Sequence, residues 1–207
     1  TIAKAVVNDP QQTLRCLEKI ESANAYLLSL IGDVLDMSRL AGGKMHLQCE
    51  EADLAAQLAG LQSLLGAQAQ VKGVSLSFKD AFSPIPRLSL DALRLNQVLI
   101  NIIGNAIKFT PAGGSVSVRV AREPAEDGLI HIRFSIRDTG IGISKDALGR
   151  IFNTFEQGQK DTAARYGGTG LGLAIVKHIA RIHNARIKLD SVVDEGTTIT
   201  VIFETAS

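Results

Sequence analysis

The sequence predicts an α+β protein in which a long helical segment precedes a two-layer sandwich of helices on a mixed sheet. Three observations predict this class. An apolar stripe with helical spacing runs through residues 14–34, helices alternate loosely with strands after it, and some neighbouring strands are spaced as hairpins. We therefore expect two domains, residues 1–43 and residues 44–207.

The first element is a long helix that begins at Asp9-Pro10, an N-cap followed by a proline at the first helical position. Its apolar stripe comprises Leu14, Leu17, Ile20, Leu27, Ile31 and Val34. Without a proline between residues 11 and 40, the helix would be about 45 Å long, so its stripe needs a long helical partner. We interpret residues 1–8 as the end of an antiparallel helix and expect a second copy of the chain to complete a bundle. The alternative is a plain surface helix.

The second domain is expected to alternate helices with strands. Helices are predicted at residues 53–69, 91–108 and 171–183. Strands are predicted at residues 45–51, 74–78, 115–120, 129–136, 186–189 and 198–203. The third and fourth strands flank a turn-like segment and predict an antiparallel hairpin.

Composition limits the classes of function. The 207 residues carry 22 basic and 21 acidic side chains, a formal charge of +1. This balance gives no overall attraction to nucleic acid or anionic lipid, so we expect no nucleic-acid partner and no membrane contact by this span. Cys16 and Cys49 form no CxxC pair, which favours a reducing cytosolic setting. An inner-membrane anchor elsewhere in a longer parent chain stays open.

Three polar side chains share one face of the helix at 91–108. Asn101 and Asn105 lie four residues apart, and Lys108 follows three further on. Carboxamide oxygens suit Mg²⁺ that is also held by phosphate oxygens, and a lysine would neutralise phosphate. The alternative is that both asparagines are solvated or bond to neighbouring carbonyls.

Two glycine-rich segments are candidates for binding a nucleotide. Asp138-Thr-Gly140-Ile-Gly142 follows a strand, where the carboxylate could accept from an exocyclic amine while the glycines admit a flat ligand. Gly167-Gly-Thr-Gly170-Leu-Gly172 opens a helix whose free N–H groups suit phosphate. An Asx turn and a merely tight turn are the respective alternatives.

Between these glycine segments lies a polar stretch, residues 153–166, with Phe152 before it and Phe155 within it. It could be a lid over phosphates with Lys160 and Arg165 as its cations, or an ordinary surface loop. None of the four histidines has the adjacent acid of a phosphoacceptor setting, so we treat them as ordinary exposed histidines.

The order and spacing of these segments resemble the N, G1, F and G2 boxes of bacterial sensor histidine kinases. The resemblance covers about residues 11–204, because Leu35-Asp-Met-Ser-Arg-Leu40 is similar to the end of the second helix of the dimerisation domain. It implies that residues 1–43 are a remnant of the dimerisation and phosphotransfer domain. Residues 44–207 would then be the catalytic ATP-binding domain, with the GHKL-type (Bergerat) fold. Phe155-Glu-Gln157 is similar to the form in many hybrid kinases.

The resemblance also implies a role for each site residue. Asn105 would hold Mg²⁺ with Asn101 assisting, and Lys108 would contact phosphate. Asp138 would accept from the adenine amine, beside Phe109, Gly140 and Gly142. The phosphate-binding residues would be Arg165, Gly168, Thr169, Gly170, Leu171 and Gly172.

One departure from the family concerns the phosphoacceptor. The acceptor histidine of the family lies on the first long helix of its dimerisation domain, and this sequence begins after that place. The resemblance therefore implies transfer of the ATP γ-phosphoryl to a histidine outside this chain, then to a response-regulator receiver domain. Two alternatives stay open: a GHKL-type ATPase, and a dimeric scaffold that senses nucleotide without transfer. Ala163-Ala164 is a second departure, since related lids often carry arginine there.

Overall fold

The computed structural model describes residues 11–17, 20, 21, 23, 24, 27, 31, 32, 35, 47–80, 87–124, 129–153 and 170–206. The chain divides into two compact units, Thr1–Met45 and His46–Ser207, and each is described by itself.

In the first unit, every described residue between 11 and 35 is helical, and residues 11–17 are continuous. Its larger apolar side chains are each more than half exposed: Leu14, Leu17, Ile20, Leu27, Ile31 and Leu35. Five of these six belong to the predicted stripe. The expected helix start at Asp9-Pro10, the helix at residues 1–8 and Val34 lie outside the described residues. The single long helix therefore stays a prediction.

The second unit contains seven strands and four helices in its described part. The strands are β1 (Glu50–Asp53), β2 (Ser75–Asp80), β3 (Arg87–Leu90), β4 (Ser115–Pro124), β5 (Leu129–Asp138), β6 (Arg186–Val192) and β7 (Gly196–Ala206). The helices are α1 (Leu54–Lys72), α2 (Ala92–Phe109), α3 (Lys145–Leu148) and α4 (Gly172–Ile182).

Five strands form a mixed sheet in the order β2-β4-β5-β7-β6, and β1 pairs with β3 in a separate two-stranded sheet. Within the larger sheet, β2 is parallel to β4 and all other pairs are antiparallel. The predicted hairpin is confirmed, with Val118 of β4 opposite Ile136 of β5.

Burial alternates along β5, which places Ile130, Ile132, Phe134 and Ile136 in the core. Helices α2 and α4 supply the other side of this core through buried Leu99, Ile103, Ile175 and similar residues. The opposite face of β5 is polar, with Arg133 bonded to Glu123 and His131 to Glu204. This is the expected sandwich of helices on one face of a mixed sheet.

Several element boundaries differ from the sequence-based expectation. Of the strand expected at 45–51, residues 47–49 have no regular structure, and β1 runs from Glu50 to Asp53. Helix α1 continues to Lys72, one turn beyond the expected end, and is closed by Gly73 at φ +72°. The short elements β3 and α3 were not expected.

Candidate functional site

Helix α2 carries the polar face that the sequence predicts. Asp91 caps the helix, because its Oδ1 accepts from Arg94 N at 3.1 Å and its Oδ2 accepts from Gln48 N at 3.1 Å. The leucine and isoleucine side chains on one side of α2 are buried in the core, whereas Asn101, Asn105 and Lys108 are half-buried on another side. The core contacts therefore fix the helix and leave these three side chains at its surface.

The orientation of the Asn101 amide follows from its hydrogen bond. Its Nδ2 donates to the carbonyl of Gln97 at 2.9 Å, and a carbonyl can only accept. The Asn101 Oδ1 therefore faces away from Gln97. It lies against Gly172, where an added Cβ would come within 2.6 Å of it. The Asn101 face of α2 thus meets the start of α4.

Helix α4 begins after Gly170, which has φ +69°, and Leu171, which is buried in the core. The Leu171 carbonyl accepts from Ile175 N at 2.9 Å. Leu171, the N-cap residue, makes no side-chain capping hydrogen bond. The start of α4, whose first N–H groups lack partners within the helix, lies next to the Asn101 oxygen.

Asp138 ends β5 and is 8% exposed. Its Oδ1 accepts from two backbone donors, Gly140 N at 2.8 Å and Thr197 N at 3.1 Å. Burial raises the pKa of this carboxyl, and the two hydrogen bonds only partly offset the rise. Because both bonds end on Oδ1, Oδ2 is the acceptor left for a ligand.

The loop after Asp138 packs against the end of α2. An added Cβ at Gly140 would lie 2.7 Å from the carbonyl of Phe109, so only glycine fits there. Ile141 N donates to the same carbonyl at 3.3 Å. Gly142 has φ +66°, and a Cβ there would overlap the carbonyl of Val192. These close approaches bring Asp138 beside Phe109.

Lys108 lies over the ring of Phe109, with its Nζ 5.0 Å from the ring centroid. Burial, and secondarily the positive charge of Lys72, lowers the pKa of Lys108. Lys72, the last residue of α1, donates through Nζ to the carbonyls of Ile107, at 2.8 Å, and Lys108. The ammonium group of Lys72 therefore lies at the end of α2, in addition to that of Lys108.

Sequence reasoning missed the residues that support Asp138 from β6 and β7. Thr197 provides one of its two donors, and Ser191 joins the surrounding segments. The Ser191 hydroxyl accepts from Ile143 N at 2.9 Å, donates to Gly196 O at 3.1 Å and lies 2.8 Å from the Thr197 hydroxyl. The only sequence signal is Gly196-Thr197 after the turn between β6 and β7.

The structure describes some of the remaining predicted site residues but not others. Gly170, Leu171 and Gly172 lie at the start of α4, and Asn105 lies one turn beyond Asn101 on α2. Arg165, Gly168, Thr169 and the expected lid beyond Asn153 are outside the described residues.

Among the described residues, no group of three or more His, Cys, Asp or Glu side chains could hold a metal ion. None of the described helices has the length and apolar character needed to cross a bilayer.

Comparison with known proteins defines the class of this fold and site. Residues 90–207 match the family model described as histidine kinase-, DNA gyrase B- and HSP90-like ATPase, and the chain belongs to this family. Its sequence relatives include proteins named as histidine kinases. Residues 90–207 are thus a catalytic ATP-binding domain of the histidine kinase type.

Two relatives illustrate the likeness. An uncharacterized sensor-like histidine kinase of Rhizobium meliloti is 38% identical over 94% of this chain and 35% of its own length. The circadian input-output histidine kinase CikA of Synechococcus elongatus is 35% identical over 89% of this chain and 24% of its own length. The chain therefore spans about a third of the length of the first relative and about a quarter of the second.

Among solved structures, full-length ShkA in complex with AMPPNP superposes with a TM-score of 0.78 at 31% identity, covering 95% of this chain and 39% of that one. The histidine kinase ThkA, solved with the response regulator TrrA, superposes with a TM-score of 0.69 at 19% identity. That match covers 99% of this chain and 55% of ThkA, and at this identity it shows the fold alone.

Proposed function

We propose that this chain binds Mg·ATP in one pocket and transfers the γ-phosphoryl group to a histidine outside this chain. The observation that supports the proposal is that the start of α4 and the loop after Asp138 both contact α2. Asn101 meets the start of α4, and Phe109, eight residues further on, meets the loop that follows Asp138. Eight residues of helix span about 12 Å, which separates a purine end from a phosphate end.

At the purine end, Asp138 is proposed to accept a hydrogen bond from the adenine amine through Oδ2. Its Oδ1 is held by Gly140 and Thr197, so the carboxylate cannot rotate freely. Gly140 and Gly142 leave room for the ring, and Phe109 packs nearby. A fixed acceptor favours adenine over guanine, because guanine presents a carbonyl oxygen at the equivalent place.

The phosphates are proposed to be held by the first N–H groups of α4 and by Lys108, whose long side chain starts near the purine end of α2 and would extend toward the phosphates. The nucleotide-binding residues proposed there are Gly168, Thr169, Gly170, Leu171 and Gly172, with Arg165 as a lid cation. The position of these residues at the start of α4 supports this assignment, since the positive end of a helix dipole and the N–H groups of a first turn attract anions.

Asn105 and Asn101 are the proposed protein ligands of Mg²⁺. Hard neutral oxygens with phosphate oxygens and water are the donor set that Mg²⁺ prefers, and the Asn101 Oδ1 faces the start of α4. When bound, the ion would neutralise charge that develops on the phosphates.

In the proposed reaction, an imidazole nitrogen of the acceptor attacks the γ-phosphorus as the bond to the β-phosphate oxygen breaks, and ADP leaves. The residues of this chain position the nucleotide and neutralise charge, which supplies most catalysis of phosphoryl transfer. The Asn101 carboxamide cannot remove a proton from water. Slow hydrolysis is therefore expected from this chain alone, and rapid turnover would favour an ATPase instead.

We further propose that the parent protein is a homodimer through its first unit and passes phosphate to a receiver domain. The exposed apolar side chains of the first unit support the dimer. The receiver is proposed by analogy with ThkA, which was solved with a response regulator. Because ATP and such regulators are cytoplasmic, we expect this domain to work there, whether or not the parent is anchored in a membrane.

Nucleotide binding is tested by titrating a fluorescent ATP analogue with and without Mg²⁺. Asn105→Ala should remove the Mg²⁺-dependent part of the affinity. Gln62→Ala, an exposed carboxamide on α1, serves as the matched control and should bind as the wild type does. Equal Mg²⁺ dependence in Asn105→Ala and wild type would reject the metal role of Asn105.

Transfer is tested by mixing the chain with labelled ATP and a separate protein that carries the acceptor helix of a sensor kinase. Label that appears on histidine, and is acid-labile, supports the kinase. Binding of ATP without any transfer to that helix, or to the parent's own helix in the full-length protein, would favour the nucleotide-sensing scaffold.

A further inference from the structure

We propose that Lys72 is a positioning residue of the nucleotide site, which ties down the last turn of α2 and adds a second cation beside Lys108. This inference rests on the proposed function, because it concerns how that site holds polyphosphate. Lys72 lies at the end of α1, outside every motif that the sequence singles out.

The first argument is the hydrogen bonding of the last turn of α2. The last four carbonyls of a helix lack partners within the helix and need others. Lys72 crosses from α1 and donates to two of them, those of Ile107 and Lys108. Lys72, 35 positions before Ile107, thus supplies a donor to the Lys108 carbonyl and a second donor to the Ile107 carbonyl, which also accepts from Thr110 N at 3.4 Å.

The other two carbonyls connect the same turn to its surroundings. The Ala106 carbonyl accepts from Thr110 N at 3.1 Å and from the Thr110 hydroxyl at 2.7 Å. The Phe109 carbonyl accepts from Ile141 N, in the loop after Asp138. The turn that Lys72 secures therefore carries the Lys108 side chain, whereas its contact with the purine end of the site has a separate donor in Ile141 N.

The second argument is charge. Two lysine ammonium groups near one helix end repel each other, and this repulsion contributes to the lowered pKa of Lys108. A polyphosphate that approaches Lys108 relieves the repulsion, so its binding is favoured more than that of a neutral ligand. Lys72 should consequently matter more for ATP than for adenosine, which Asp138 can recognise without it.

The test compares Lys72→Met, Lys72→Gln and Lys72→Arg with the wild type in calorimetric titrations of ATP and adenosine. The glutamine keeps a donor without the charge, and the arginine keeps both. Lys79→Met removes an exposed lysine from β2 and is the control for net charge. Thermal unfolding of each variant shows whether it folds, and Lys72→Gln replaces Lys72→Met if the latter does not.

We expect Lys72→Met to lower ATP affinity about tenfold, the worth of one charge-assisted interaction, and adenosine affinity less than about twofold. Lys72→Arg should recover most of the ATP affinity, and Lys79→Met should bind as the wild type does. Nuclear magnetic resonance titration of the Lys108 ammonium should show its pKa rise in Lys72→Met, since the opposing charge is gone.

Equal losses of ATP and adenosine affinity would overturn the proposal, because a purely structural role would affect both ligands. An unchanged titration of Lys108, or unchanged ATP affinity in Lys72→Met, would overturn it as well. These results differ from a failure of the proposed function, in which the wild type itself binds no ATP.

Discussion

At the scale of single residues, Asp138, the proposed acceptor for the adenine amine, is held in the fold at a cost in stability. Two backbone N–H groups fix its Oδ1, yet burial still raises its pKa. The charged carboxylate is therefore less favourable in the folded chain than in the unfolded one. A site kept for binding rather than for stability has this property.

Asp138→Asn tests the recognition role. The asparagine Oδ1 must still accept from Gly140 and Thr197, so its Nδ2 takes the place of the carboxylate Oδ2. A donor there opposes the adenine amine and suits the guanine carbonyl. We expect the preference for ATP over GTP to fall about tenfold or more in competition binding. Asp190→Asn, an exposed aspartate of β6, is the control, and a preference unchanged in Asp138→Asn would exclude this role.

The same substitution tests the cost to stability. A raised pKa means that the folded chain binds more protons than the unfolded chain, between the ordinary value of 3.8 and the raised value. Stability is therefore lost as pH rises through this window. Asp138→Asn cannot ionise, so relative to wild type it should gain stability as pH rises from about 3.8 to 7. Denaturant unfolding at several pH values measures this, and a difference from wild type that does not vary with pH would contradict it.

Asp138 was predictable from sequence because an acid at a strand end before alternating glycines is visible as a pattern. Thr197 was not, because its contribution is a backbone N–H, which every residue except proline carries. Lys72 was hidden for a similar reason, since the carbonyls it satisfies belong to a helix far away in sequence. Sequence patterns reveal side-chain chemistry but not the backbone groups that position it.

At the scale of secondary-structure elements, the site depends on how α2 approaches α4. The Asn101 oxygen lies against Gly172, and a side chain on residue 172 would keep α2 and α4 from approaching this closely. The helix starts themselves were visible in the sequence, because Asp53 and Asp91 are N-caps with observed bonds to Ala56 N and Arg94 N. Their mutual approach was not visible, because it results from core packing.

Gly172→Ala tests this approach. The added Cβ would come within 2.6 Å of the Asn101 Oδ1, and that flexible side chain would have to move away. We expect the chain to fold with ATP affinity reduced about tenfold, measured by the fluorescent analogue. Affinity equal to that of wild type would mean that Asn101 is not used in this orientation.

Gly60→Ala is the control for that experiment. Gly60 lies inside α1, where an added Cβ meets nothing within 4 Å. Alanine is the better helix former, so the free energy of unfolding should rise by about 0.5–1 kcal/mol without a change in ATP affinity.

The short strand β3 shows why some elements escape sequence analysis. Arg87–Leu90 is only four residues long, and its partner β1 lies some distance back in the chain, at Glu50–Asp53. A four-residue alternation between polar neighbours carries little periodic signal. Pairing across the chain, rather than local preference, makes it a strand.

At the scale of the whole molecule, the order of the sequence motifs predicted the class of protein, and the fold agrees with it. In the first unit, the sequence predicts an apolar surface that needs a partner from a second chain. Its apolar side chains, predicted to face a partner, are more than half exposed. A single chain leaves this surface in water, which is unfavourable at roughly 25 cal/mol per Å² of apolar area.

Ile31→Glu tests the proposed dimer. A charge on the apolar stripe opposes burial against a partner, so a wild-type dimer should become a monomer at the same concentration in sedimentation experiments. Arg15→Gln makes the same change in charge at a residue outside the stripe and should stay dimeric. A wild type that is monomeric at high concentration would reject the dimer through this segment.

The position of β7 also has a consequence for how the protein is made. It is the last of the described strands, yet it lies between β5 and β6 rather than at an edge. While the ribosome is still adding residues before Gly196, the sheet has a gap and Asp138 lacks the donor from Thr197. The proposed adenine acceptor therefore gains its second backbone donor only after Thr197 has been synthesised.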